Sequence, residues 1–192
     1  MTMQTITQLL NAHASGNKDA FAQLMPLVYD QLHRMAQNRL HGERPGHTFN
    51  ATALVHEAYL KLAHFDRINY QNSNHFFAIA SHAMRNILVD YATKQKAQKR
   101  GGKHNPVTLG EADASAEIDV MDVLSVHQAL ERLSALDKRQ VRVVECRFFG
   151  GLTIEETAKA LNISEPTVNR DWKMARAWLN KELADVKNNG EV

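Results

Sequence analysis

The side chains best suited to chemistry lie in residues 152–181, LTIEETAKALNISEPTVNRDWKMARAWLNK. Thr167, Asn169, Arg170, Lys173 and Arg176 are hydroxyl, amide and cationic donors set close together. Groups of this kind hydrogen-bond to phosphates and base edges, and a forked Arg or Asn contact is what separates one base pair from another in the major groove. The chemistry is therefore recognition without bond breaking. Val168, Trp172, Ala175 and Leu179 recur at spacings of four, three and four, which predicts a helix buried along one stripe. At about 100° per residue, Asn169, Arg170, Lys173 and Arg176 point mostly away from that stripe. A shorter helix is predicted over 154–161. Asn162 then takes the left-handed turn position, Ser164 is the N-cap, and Glu165 and Pro166 suit a first turn. The unit reads as a helix-turn-helix, which makes DNA the leading partner.

A second set of donors lies upstream, in FFAIASHAMRNILVDYATKQKAQKR, which begins at Phe76. Phe76, Ala80, Ala83, Ile87 and Tyr91 form an apolar stripe. His82, Arg85, Asn86, Lys94, Lys96, Lys99 and Arg100 supply donors elsewhere on the helix. The segment before it carries Phe65, Arg67, Tyr70, Asn72 and Asn74. Aromatics with amides in a basic setting can capture an unstacked base. Phe65, Phe76 and Phe77 read first as core residues. Tyr70, flanked by polar residues, fits core and base capture equally.

Other chemistries find little support. Among ten histidines, His56 and Glu57 begin a string like HExxH, but position 60 is Leu. His75 and His82 lack a third ligand, so no metal and no cofactor is expected. No phosphate-cradling glycine loop or nucleophile elbow occurs. The single cysteine, Cys146, lies in an apolar stretch and reads as a small buried hydrophobe. One cysteine cannot form an internal disulfide, which fits a reducing cytoplasm. No run of about 18 apolar residues exists to span a membrane, and the N-terminus lacks the pattern of a signal peptide.

The elements that must position these groups are helices throughout. The chain has 192 residues, 44% of them hydrophobic, with 4 Pro and 9 Gly, which favours an all-α fold. Helices are predicted over 6–14, 19–40, 51–63, 73–99, 122–133 and 136–149, besides the pair already placed. In the second, Phe21, Leu24, Val28, Leu32 and Met35 form the stripe, and Pro26 could kink it. Loops are expected at 42–48 and 64–74, with Gly101 and Gly102 stopping the fourth helix. In the helix 51–63, Leu54, Ala58 and Leu62 point inward; His56, Glu57, Tyr59 and Lys61 are left for an outer face that is either solvated or a docking surface.

The formal charge of +2 hides an asymmetry. Residues 1–104 carry 12 Lys and Arg against 6 Asp and Glu, whereas residues 105–122 carry 5 acids and no base. A basic front is an electrostatic footprint for nucleic acid. Residues 101–121 read as a flexible acidic linker between two small helical domains, 1–100 and 122–185, with 186–192 a frayed tail.

The order of these parts resembles the extracytoplasmic-function (ECF) sigma factors of bacterial RNA polymerase, in the sigma-70 family, over residues 20–183. ATALVHEAYLKL resembles the helix that docks on the polymerase. FFAIASHAMRNILVDYATKQK resembles the helix that melts and reads the downstream promoter element, including the spacing of Asn86 and Asp90. The segment from ALERLSALDKRQ to the end of the helix-turn-helix resembles the promoter-reading C-terminal domain. The resemblance implies a non-catalytic subunit, not an enzyme, with core RNA polymerase and promoter DNA as partners; it also admits an anti-sigma factor. It places polymerase contacts at Leu54, His56, Glu57, Tyr59 and Lys61. It places downstream DNA contacts at Phe65, Arg67, Tyr70, Asn72, Asn74, His82, Arg85, Asn86 and Lys94. Upstream contacts fall on Thr167, Asn169, Arg170, Lys173 and Arg176. The alternatives are a stand-alone helix-turn-helix regulator whose front half senses a signal, and a helical metal enzyme.

Overall fold

The computed structural model describes residues 3–39, 50–63, 70, 72–101 and 120–189. Within them the chain is all-α, with no strand. The order is α1 (Met3–Ala14), α2 (Lys18–Arg39), α3 (Ala51–Ala63), α4 (Ser73–Gly101), α5 (Val120–Leu136), α6 (Lys138–Val144), a π-helical turn (Glu145–Phe149), α7 (Ile154–Leu161) and α8 (Glu165–Asn189).

Side chains from just outside the helices set several of these starts. The Asn17 carboxamide oxygen accepts from the Asp19 and Ala20 amides and opens α2. Asn50 accepts from Ala53 and opens α3; Asn72 accepts from His75 and opens α4. Each satisfies donors that a first turn leaves orphaned. α1 and α2 are joined through Gly16, whose φ of 95° is open to glycine at no steric cost.

α4 is the spine. Phe76, Ala80, Met84 and Leu88 are buried along it, and so are Ser81 and Arg85. A helix buried on two sides needs partners on both. α2 and α3 cover one, while α5, the π turn and α7 cover the other. The apolar core is consequently continuous from Leu10, Leu24 and Leu54 through Met84 to Leu130, Cys146, Phe149 and Leu179. A smaller cluster of Val143, Ala158 and Val168 seats the last two helices. Gly150 lies so close to α4 that a Cβ there would overlap the Ser81 hydroxyl.

The expected helix over 136–149 is divided. Asp137 adopts an extended conformation and its carboxylate accepts from the Arg139 and Gln140 amides, ending α5 and opening α6. The final five residues widen into a π turn, and the Gly150 amide bonds back to the Glu145 carbonyl. The last helix also runs further than expected, through Asn189. The first begins at Met3, the fifth at Val120, and α4 includes Gly101 rather than stopping before it. The expected loop at 42–48 and most of the linker, 102–119, lie outside the described residues. No described helix is long and apolar enough to cross a membrane.

Candidate nucleic-acid interface

α7 and α8 are fixed to each other by local chemistry. Thr153 and Glu156 form a reciprocal capping box: the hydroxyl accepts from the Glu156 amide at 3.1 Å, and the Glu156 carboxylate accepts from the Thr153 amide at 2.7 Å. Asn162 closes α7 at φ 53°, ψ 49°, the left-handed geometry expected of it. The Ser164 hydroxyl caps α8 through the Thr167 amide and also meets the Thr167 hydroxyl at 2.8 Å.

Val168, Ala175 and Leu179 are buried as expected, and Trp172 is half-buried. Asp171 is buried as well, at 1% exposure, which the stripe alone did not indicate. Its carboxylate accepts from Arg139 of α6 at 2.6 and 3.3 Å. That bond and charge raise the already high pKa of Arg139. Sequence reasoning missed this pair. Its signal was an acid three residues after Val168 and four before Ala175, on the stripe itself. Arg147 and Arg176 flank the Trp172 ring at 5.6 and 5.7 Å from its centre, each a cation facing a π system. Arg147 also donates to the Leu152 carbonyl. With the helix so anchored, Arg170, Lys173 and Arg176 are exposed, and Thr167 and Asn169 are half-buried.

The upstream candidates are placed differently. Phe65 and Arg67 lie outside the described residues. Tyr70 is 1% exposed, packed against Phe76 at 5.9 Å between ring centres, with no partner for its hydroxyl; burial pushes its pKa up to about 12. Of its two readings, this arrangement shows the core one. Asn74 is buried, and Asn72 donates to the Lys159 carbonyl of α7 at 3.3 Å. Lys94 is exposed.

His82, Arg85 and Asn86 join a network that crosses from α4 to α5 and the π turn. Arg85, 2% exposed, donates to Glu145 at 2.6 Å, to Glu131 at 3.0 Å and to His127 Nδ1 at 2.8 Å. His82 Nδ1 meets the same Glu145 oxygen at 2.9 Å, and its Nε2 lies 3.1 Å from the Asn86 amide. The hydrogen bond to Glu145 raises the His82 pKa despite partial burial. Burial alone would raise that of Glu145, but the bonds and charges of His82 and Arg85 outweigh it and hold the carboxylate below its usual range. His127 is pushed down by burial and by the Arg85 charge, which suits the neutral ring that accepts from Arg85. A cleft of about 630 Å³ opens beside the network, lined by His75, Ile79, His82, Arg85, Arg142 and Glu145 among others.

On α3, His56 and Glu57 are exposed, Tyr59 is half-buried against Phe21 and Lys61 pairs with Asp90 of α4 at 3.1 Å. Leu54 is wholly buried, so here it fixes the helix from within rather than meeting a partner. Leu60, 54% exposed, adds an apolar group to the outer face that sequence reasoning passed over. Among the described residues no three His, Cys, Asp or Glu are grouped to hold a metal. Cys146 is buried, and desolvation pushes its thiol up to about 12, far from a reactive thiolate.

An all-α chain with an anchored, cation-faced final helix has the form of a DNA-binding transcription protein. A family model described as ECF sigma factor matches residues 3–185, and the chain belongs to that family. It is similar to the ECF RNA polymerase sigma factor BldN of Streptomyces coelicolor, with 25% identity over 162 residues, 84% of this chain and 59% of that protein. The chain thus spans about three-fifths of that relative's length. Among solved structures, it is similar to CnrH in complex with the cytosolic domain of CnrY. The TM-score is 0.43 at 19% identity, covering 94% of this chain and 98% of that one.

Proposed function

We propose that this chain is a sigma factor that binds core RNA polymerase and directs it to a promoter, acting in the cytoplasm without catalysing a reaction itself. The supporting observation is α8. Its buried side is pinned by Asp171 to Arg139, and its free side presents Arg170, Lys173 and Arg176 together. A rigid helix bearing forked donors is suited to the major groove of the upstream element, where a good bidentate contact is worth about 1–3 kcal/mol. Thr167 and Asn169 lie beside these donors.

In this reading, residues 122–185 read the upstream element as duplex. Residues 1–100 hold polymerase through the outer face of α3, with His56, Glu57, Tyr59 and Lys61 around the exposed Leu60 and Leu54 supporting the helix from inside. The segment around 65–74 and the donors of α4 open the downstream element and hold an unstacked base, which costs a few kcal/mol per step. Residues 101–121 tether the two parts. Fully extended they reach roughly 70 Å, about two turns of B-DNA. In vitro transcription with core polymerase over a pool of promoters tests the proposal: the chain should select a subset that polymerase alone does not use.

A further inference from the structure

The cleft of about 630 Å³ is walled by α4, α5, α6, the π turn and α7. That volume falls in the range of small-molecule sites, about 300–1,000 Å³. Its charges are unequally answered. Glu131 and Glu145 line it, but both carboxylates are engaged with Arg85, at 3.0 and 2.6 Å. Lys138 and Arg142 also line it, and both are exposed. They are four residues apart on α6, so they stand one above the other on a single face, where like charges repel. Among the described residues neither side chain has a hydrogen bond or an ion pair. Across the cleft, His75, Ile79 and His82 share a face of α4 at spacings of four and three. The Arg142 charge is felt there: it acts to lower the pKa of His75 and, against the Glu145 bond, that of His82. Arg85 adds a buried Nε with no partner. Ile79, Val141 and Leu161 supply apolar wall beside these groups.

Two adjacent cations without a counter-ion, beside an apolar wall, are complementary to an organic anion. A carboxylate brings one charge and answers one of them. A phosphoryl group brings two charges and three acceptor oxygens, which a guanidinium meets through forked bonds and an ammonium as a point charge. We propose that this cleft binds a small phosphate monoester, with Arg142 and Lys138 on the phosphoryl oxygens, His75 as a further donor, and Ile79, Val141 and Leu161 against the organic body. Glu131 and Glu145 in the same cleft would repel a second anionic group, so the ligand carries one phosphoryl head on an uncharged body. The site does not depend on reading the chain as a sigma factor, and its failure would leave that reading standing.

Isothermal titration of the full chain with phenyl phosphate, inorganic phosphate and benzoate separates the head of the ligand from its body. Phenyl phosphate should bind one to one and roughly tenfold more tightly than inorganic phosphate, because its ring leaves water. It should also bind more tightly than benzoate, which carries a single charge. Arg142→Gln and Lys138→Gln should each weaken phenyl phosphate at least roughly fivefold. Lys181→Gln removes an exposed cation of α8 that does not line the cleft, and should leave the affinity within about twofold of the parent. Circular dichroism checks that each variant keeps its helices; should Arg142→Gln or Lys138→Gln lose them, the other decides. Equal losses in all three variants would reduce the effect to net charge and overturn the site, as would no binding of any probe at millimolar concentration. Benzoate binding as tightly as phenyl phosphate would overturn the phosphate class. Phenyl phosphate binding no more tightly than inorganic phosphate would overturn the part given to the apolar wall.

Discussion

Arg139 of α6 grips Asp171 of α8 with two nitrogens, at 2.6 and 3.3 Å, and the carboxylate it holds is 1% exposed. The pair fixes the angle at which the exposed cations of α8 leave the protein. Arg139→Ala removes both short hydrogen bonds and leaves the buried carboxylate only the longer ion pair with Arg170 Nε, at 3.6 Å, which is costly for a charge so enclosed. Replacing both by leucine removes the charges together. The expectation is that Arg139→Ala lowers the thermal midpoint more than the double variant does. A double variant less stable than Arg139→Ala would show that the pair contributes more than its desolvation costs.

Arg170 lies beside that anchor, its Nε 3.6 Å from the Asp171 carboxylate, and its side chain is 62% exposed. Arg170→Ala should weaken transcription from the cognate promoter by about 1–3 kcal/mol of recognition. Binding to core polymerase, measured in parallel, should be unchanged. Undiminished promoter use would remove Arg170 from the reading set.

The turn between α7 and α8 offers two stability tests. Thr153→Ala deletes half of the capping box and should cost about 1 kcal/mol in chemical denaturation. Asn162→Ala forces a Cβ into left-handed geometry without the local help that Asn gives, at a cost of roughly 1 kcal/mol, whereas Asn162→Gly should cost little. Equal costs for the two Asn162 variants would mean that the turn does not depend on this conformation.

Much of this was legible in the sequence because its causes are local. The bounds 51–63 and 154–161 agree with α3 and α7. Asn162 and Ser164 act on their own neighbours. What was not legible depends on distant residues. Arg85 reads as a free donor until Glu131 and Glu145, 46 and 60 positions away, close on it. Asp171 gives no sign of its partner in the sequence, because Arg139 lies 32 positions earlier. Tyr70 was ambiguous because its neighbours in sequence are polar while its neighbours in space are Phe76 and His75. Asp137 broke a predicted helix because a short acid can cap as readily as it can continue.

The Glu145 network should respond to pH in a defined direction. The His82 pKa is raised in the folded chain, so its contribution is complete below the ordinary value of 6.5 and is lost as pH rises through the raised one. Glu145 is held low, so its contribution is present above 4.5 and lost as pH falls through its depressed value. His127, lowered by burial and Arg85, and His75, lowered by burial and Arg142, act against His82 by disfavouring the folded state as pH falls. His82→Gln isolates one contribution. Parent and variant, unfolded by urea between about pH 5.5 and 8.5, should differ most at the acid end and converge at the alkaline end. A constant difference would mean that His82 does not titrate against Glu145.

The central claim is that this chain gives polymerase a promoter. Purified chain and core RNA polymerase, mixed over a pool of promoter fragments, test it most directly. The account predicts a stable complex and transcripts from a small, reproducible subset, absent when either component is left out. A chain that binds duplex DNA yet neither associates with core polymerase nor alters its transcripts would contradict it.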